Sequence, residues 1–251
     1  MRQANKATRN LWLLFAFAFC LNCIVWIVTR DKQVQWINVP PVPPLSIAAL
    51  PALGDFQLAY RTLGVTIQNL GDEGGQVTPL VDYDFNRLGQ WFHVMDRLDP
   101  QSDYIPYLAS FYFGAVRGGE AKKKLRPVAE YLYKAGQSSE GQKWRWLAHA
   151  VYLARFKLDD LDWAYKMSLE LSDLARNERP DLPHWARQMP AFILNEQGEK
   201  EAALNMMIGI LSVAGEDIHP SEVNHTRYYI CEKILTADQA KAFPLCQTFK
   251  E

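Results

Sequence analysis

From Leu11 to Thr29 the chain runs nineteen residues without a charged side chain, LWLLFAFAFCLNCIVWIVT. This run restricts the architecture more than any other stretch. A helix of that length at about 1.5 Å per residue rises about 28 Å, close to the roughly 30 Å of a bilayer's hydrocarbon layer. Asn22 is its one strongly polar interior residue. The expectation is a transmembrane helix over residues 11–29, with residues 1–10 on one side of the membrane and everything else on the other. A cleaved signal peptide is the competing reading. Arg2, Lys6 and Arg9 supply the basic start, but Ile27-Val28-Thr29-Arg30 is bulky where a cleavage site needs small residues, and Phe17-Ala18-Phe19-Cys20 is a poor lipoprotein box. A buried helix of a soluble protein is the third reading, and the run lacks the polar face such a helix shows.

Orientation follows from the basic residues at the two ends of the span. Arg2, Lys6 and Arg9 precede it and Arg30 and Lys32 follow, which places the N-terminus in the cytoplasm and the bulk of the chain outside. In a bacterium this means an inner-membrane, single-pass protein with a periplasmic C-terminal domain. Cys20 and Cys23 within the span form either a redox or metal pair or two small apolar residues of a helix; the second is the usual behaviour of buried cysteine. Asn22 can bond to another helix in the lipid, favouring self-association or docking to a membrane protein.

Charge is unevenly divided. The chain has 27 basic and 28 acidic residues; residues 1–32 sum to +4 and the remainder to −5. A mildly acidic exported part without a basic stripe argues against nucleic-acid binding. Beyond the span, Cys231 and Cys246 are the only cysteines. They form a disulfide if the domain occupies an oxidising compartment, and remain free thiols if it is cytoplasmic.

Between span and domain lies a proline-rich linker over residues 30–51, with Val39-Pro40-Pro41-Val42-Pro43-Pro44 at its centre. Proline at this density favours an extended segment, serving as a semi-rigid spacer or as a docking ligand. The domain, residues 52–251, reads as helices throughout. Apolar periodicity predicts helices over 55–70, 83–98, 104–118, 121–135, 143–158, 161–177, 182–198, 200–214 and 220–235, with a capped turn after Thr236. Residues 72–81, which include Gly74-Gly75, read as a flexible insertion and not a phosphate loop, since no Lys-Ser or Lys-Thr follows.

The helices repeat. Tyr107-Leu108-Ala109, Trp146-Leu147-Ala148 and Trp185-Ala186-Arg187 lie 39 residues apart, as do Ala164 and Ala203. An aromatic residue in one helix and a small one in its partner suit close helix pairing, and a two-helix unit at fixed period argues for an α-solenoid. Two stretches, Arg97-Leu98-Asp99-Pro100 and Asn195-Glu196-Gln197-Gly198-Glu199-Lys200-Glu201-Ala202-Ala203-Leu204, resemble the turn and the second-helix opening of tetratricopeptide repeats. Over residues 55–235 the chain resembles a degenerate member of that family, with a period longer than its usual roughly 34 residues. The layout of anchor followed by repeats resembles uncharacterised bacterial membrane-anchored repeat proteins. The resemblance implies an all-α fold of about four helix pairs plus a C-terminal helix, and protein–protein binding without chemistry of its own.

The chemistry-bearing residues agree with that implication. His93, His149, His184, His219 and His225 form no His-x-x-x-His or His-Glu-x-x-His pair, and no nucleophile elbow, Walker loop or dinucleotide motif is present. Acidic pairs such as Asp159-Asp160 and Glu216-Asp217 fall at helix ends, where solvated charge is ordinary. The expectation is no enzyme, no cofactor and no metal. Within the aromatic run of Tyr104, Tyr107, Phe111, Tyr112 and Phe113, the four-residue spacing assigns Tyr107 and Phe111 to the core. Tyr104 and Tyr112 lie off that stripe; they line a partner groove or fill the repeat core. Trp144 beside Trp146 poses the same choice. Lys122-Lys123-Lys124 is a solvated helix start or a surface for anionic headgroups. The function expected is a scaffold or assembly factor in the bacterial cell envelope, holding membrane or envelope proteins by helix-in-groove binding. A chaperone-like, peptide-binding periplasmic module is the alternative, and an enzyme with an unrecognised site the weaker one. Self-association is also open.

Overall fold

The computed structural model describes residues 2–29, 39–73, 76–117, 119–138, 141–213 and 219–247. Gly74-Gly75, Glu216-Asp217 and the first part of the linker lie outside these. The chain divides into two units, one ending at Ile37 and one formed by the remainder.

The first unit is α1, Arg2–Thr29. Its apolar window Asn10–Val28 is 19 residues long, has a mean hydropathy of 2.5 and buries nothing against protein. It is long and apolar enough to cross a membrane. The expected span of Leu11 to Thr29, Asn22 included, falls within this helix.

The second unit is helical and starts earlier than the sequence suggests. The linker was expected to lie outside the domain as far as residue 51. Val39 is instead fully buried. Arg87 Nη1 donates to its carbonyl at 3.3 Å and Trp91 Nε1 donates to the carbonyl of Pro40 at 2.9 Å. Proline-rich backbone keeps free carbonyls because it cannot close a helix or ladder, and those carbonyls suit a buried indole N–H that needs an acceptor. Two short turns follow, Leu45–Ala48 and Leu50–Ala52.

The main helices are α2 (Phe56–Gln68), α3 (Phe85–Leu98), α4 (Tyr104–Tyr107), α5 (Arg126–Gly136), α6 (Trp144–Tyr152), α7 (Leu161–Asn177), α8 (His184–Glu196), α9 (Lys200–Val213), α10 (Pro220–Tyr229) and α11 (Ala237–Ala242). Their starts are written in the sequence. The Asp55 carboxylate accepts from the backbone N–H groups of Gln57 and Leu58, that of Asp84 from Arg87, and that of Asp160 from Trp163. Thr236 and Gln239 form a reciprocal capping box. Gly198, at φ +87°, ends α8 where only glycine is relaxed, and Glu199 N–H returns to the carbonyl of Leu194 at 2.9 Å. The helix expected over 121–135 breaks into Gly119–Lys124 and α5, with Pro127 seated in the first turn of α5. The insertion after α2 is a small hairpin: Asp72–Glu73 pairs antiparallel with Gln76–Val77, the one ladder among the described residues.

Each helix packs chiefly on its sequence neighbours. α3 lies against α2 and α5, and contacts then run α5 to α6, α6 to α7, α7 to α8 and α8 to α9. Close approach has a visible cause at Gly136. A Cβ placed there would stand 2.1 Å from the backbone nitrogen of Leu147, so α5 and α6 meet at a distance only glycine permits. Ala164 and Ala203, the small residues of the 39-residue register, are both fully buried.

Three helices end in wide π turns, where bonds span one residue more than in an α-helix. These are Leu108–Tyr112 after α4, Leu153–Leu158 after α6 and Ile230–Ile234 after α10. The last leads to Cys231, which is joined to Cys246 by a disulfide with Cα atoms 5.8 Å apart. That bond is the one expected from the two external cysteines.

Candidate functional site

Consecutive α-helical packing leaves one set of side chains between neighbours and another facing outward. Along α4, α6 and α8 the outward set is aromatic. Tyr107 is 54% exposed, Phe111 50%, Tyr152 48% and Trp185 37%. Three helices about 39 residues apart thereby contribute to one groove with a cavity of about 530 Å³, lined by Ser110, Phe111, Gly114, Ala115, Arg117, Ala148, His149, Tyr152, Lys157, Trp185 and Met189.

The floor is polar and ordered. Ser110 Oγ and His149 Nδ1 are hydrogen-bonded at 2.9 Å, 39 residues apart in the chain. His149 meets the edge of Phe111 at 4.7 Å and the ring of Trp146 at 5.7 Å. Burial holds its imidazole below the usual histidine range, so at neutral pH the floor carries no charge. The next register step continues the pattern, with Gln188 Nε2 donating to Thr226 Oγ1 at 2.8 Å. The lining rings are Phe111, Tyr152 and Trp185; outside the cavity, Tyr107 packs on Phe111 at 4.9 Å and Phe156 on Tyr152 at 5.1 Å, with the Arg155 guanidinium over Phe156 at 4.5 Å. Arg117 and Lys157 supply the charge, and no carboxylate is among the described lining residues. Ser110 and Phe111 belong to one wide turn and Lys157 to another, a placement in keeping with the association of such turns with functional surfaces.

None of the three residues expected to line a partner groove is among those lining this cavity. Tyr104 is half-buried, its hydroxyl donating to Gln68 Oε1 at 2.5 Å. Trp144 is buried against the ring of Trp185 at 5.9 Å. Tyr112 is 41% exposed, but it leans on Phe113 and is not among the residues of the cavity. Conversely, Tyr107 and Phe111, expected in the core, face out. The inward stripe of this segment is Ile105, Leu108, Ala109 and Phe113. Both stripes have helical spacing, so spacing alone does not choose between them. Gly114 lies beside the inward stripe; a Cβ there would stand 3.2 Å from the carbonyl of Ala109 and 3.5 Å from Leu153.

Among the described residues no group of three or more His, Cys, Asp or Glu side chains is arranged to hold a metal ion. Of the acidic residues at the α6–α7 and α8–α9 corners, Asp160 is reached by Arg126 at 2.8 Å and Glu196 pairs with Arg155. A second apolar cleft, lined by Ile208, Leu211, Val223, Phe243 and Leu245, has one wall formed by the tail that the disulfide holds. No family model, no curated protein and no solved structure matches the chain.

Proposed function

We propose that this chain is a membrane-anchored scaffold of the bacterial cell envelope. Its tetratricopeptide-like domain binds a segment of another envelope or membrane protein in the groove of α4, α6 and α8. The observation that carries this reading is the groove itself. Exposed rings from three successive repeats line a cavity that no other part of the described chain fills. Rings of this kind are rigid anchors with little entropy to lose, and they dominate binding energy at interfaces. Arg117 and Lys157 favour an occupant whose apolar face is flanked by carboxylates.

The anchor is α1, with its N-terminus cytoplasmic and the domain in the periplasm. The Cys231–Cys246 disulfide supports an oxidising compartment for the domain. The tetratricopeptide-like assignment rests on the 39-residue register and on the glycine-ended turn at Gly198.

The test is co-purification of the full-length protein from native membranes in mild detergent, read by mass spectrometry with stoichiometry. Wild type is compared with a Phe111→Ala/Trp185→Ala variant. The expected result is a dominant partner at fixed ratio whose affinity drops about tenfold or more in the variant, as loss of aromatic hot spots produces. A partner retained unchanged by the variant overturns the groove reading. A broad set of weak clients, all lost together, moves the function to a chaperone-like module.

A further inference from the structure

The entry segment of the helical domain is sorted the wrong way round for a protein surrounded by water. Between residues 45 and 54, Ala48, Ala49 and Ala52 are turned inward at 5%, 2% and 7% exposure. Ile47, Leu50 and Leu53 are turned outward at 55%, 70% and 98%. Burial favours large side chains over alanine, so a segment free to choose would hide the leucines. Leu53 adds a second anomaly. Its backbone lies in the left-handed region at φ +55°, where a glycine or asparagine is relaxed and a leucine is not. A strained backbone that holds a fully exposed leucine calls for an environment in which that leucine is welcome.

The chain itself supplies one. Val39, the first described residue of the domain, is fully buried. It follows by eleven residues the last residue of the apolar window Asn10–Val28. Even fully extended, that tether spans at most about 40 Å at roughly 3.3–3.6 Å per residue. The turns Leu45–Ala48 and Leu50–Ala52 follow directly, the first packing against α3, which also holds the carbonyls of Val39 and Pro40, and the second against α2. If α1 spans a membrane, the apolar edge is held within reach of that membrane's surface.

We propose that Ile47, Leu50 and Leu53 form an interfacial anchor that enters the boundary of the lipid bilayer and seats the domain on the membrane it is tethered to. The occupant is the lipid acyl–headgroup boundary and not another protein. The contact is apolar, three side chains projecting from short turns, as in other shallowly inserted segments. It rests on the reading of α1 as a span but not on the groove.

The test uses the full-length chain in lipid nanodiscs, with Cys20 and Cys23 replaced by alanine and the disulfide intact. A polarity-sensitive fluorophore is attached at Leu53→Cys, at Leu50→Cys and, as an exposed apolar control outside the segment, at Val77→Cys, whose native side chain is 78% exposed. The expected result is blue-shifted emission at 53 and 50, quenched by lipids brominated near the headgroup, with neither effect at 77. Aqueous emission at 53 and 50 matching that at 77 overturns the proposal. So does blue-shifted emission that brominated lipid leaves unchanged, which assigns the edge to a protein contact. A chain that does not reconstitute into nanodiscs removes the span and the anchor together, and that outcome is distinct because no fluorescence comparison is then reached.

Discussion

From Val39 to Ile193 the buried interior of the helical domain mixes aliphatic side chains with a cluster of rings. Tyr83, Phe85, Phe92, Phe113 and Tyr131 are all at most 3% exposed, and Phe92 sits 5.5 Å from Phe113 and 5.2 Å from Tyr131. The C-terminal interior is of another kind. Ala191, Leu194, Ala203, Met207, Ile230, Cys231 and Ile234 are buried there, and no aromatic side chain is among them. Its rings, Phe192, Tyr229 and Phe243, are only partly buried and pack at its edge. The Cys231–Cys246 bond joins the last wide turn to Pro244–Gln247 across 15 residues, and Cys231 is itself a buried member of this smaller interior. One region is held by area and the other by area plus a covalent constraint.

The comparison is broken most severely by Phe92→Ala. Truncating a fully buried ring in the aromatic cluster is expected to cost about 3–5 kcal/mol. Hydrogen exchange read by mass spectrometry should show protection falling across α2 to α8. A loss confined to α3 would show that the aromatic interior is not one cooperative body.

Cys231→Ser/Cys246→Ser comes next, at about 3 kcal/mol for a loop of this length. Its effect should be local: exchange accelerates in α9, α10 and α11 while α3 to α7 keep their protection. Equal acceleration throughout would make the two interiors a single unit. Addition of reductant to the wild type should reproduce the variant.

The smallest effect is a pH dependence that belongs to the aromatic region alone. Burial holds His93 and His149 below the usual histidine value of 6.5, and Lys134 adds to the effect at His93. A base whose folded pKa is depressed binds its proton more readily when unfolded. Its contribution to stability is therefore whole above that value and is lost as pH falls through it toward the depressed one. Thermal midpoints of the wild type should drop between about pH 7.5 and pH 5.5, and the drop should shrink in His93→Gln/His149→Gln. An unchanged drop would assign it to other groups.

Much of the fold was legible before any coordinates. Asp55, Asp84, Asp160 and Thr236 announce helix starts, Gly198 announces a stop, and α7 falls on residues 161–177 as the apolar period indicates. The disulfide was legible by elimination, because only two cysteines lie beyond the apolar run. The groove was legible only in part. Its register could be counted from Tyr107, Trp146 and Trp185, yet these three do not share an environment: Trp146 is buried, its Nε1 donating to Asp103 at 2.7 Å, while Tyr107 and Trp185 face out. A ring with a polar edge is at home on either side of a helix, and its neighbours decide. Gly136 decides how near α6 can come to α5. That effect does not follow from spacing. The proline-rich stretch misled for a related reason: its composition describes an extended backbone correctly, but not the buried indole of Trp91 waiting for its carbonyl.

The wide turns at Leu108–Tyr112 and Leu153–Leu158 also bear on how such a groove can change over generations. A π turn accommodates one residue beyond the α-helical count, so losing that residue restores an ordinary helix without opening a gap in the chain. The helix beyond keeps its phase, because the turn had absorbed the extra residue locally. For the turn after α6 the change falls on the turn itself, which carries Lys157 at the groove, while Trp146, Leu147 and Ala150 upstream keep their places in the interior. Single-codon gain or loss at these two turns is therefore a means of re-equipping the rim independently of the fold that carries it.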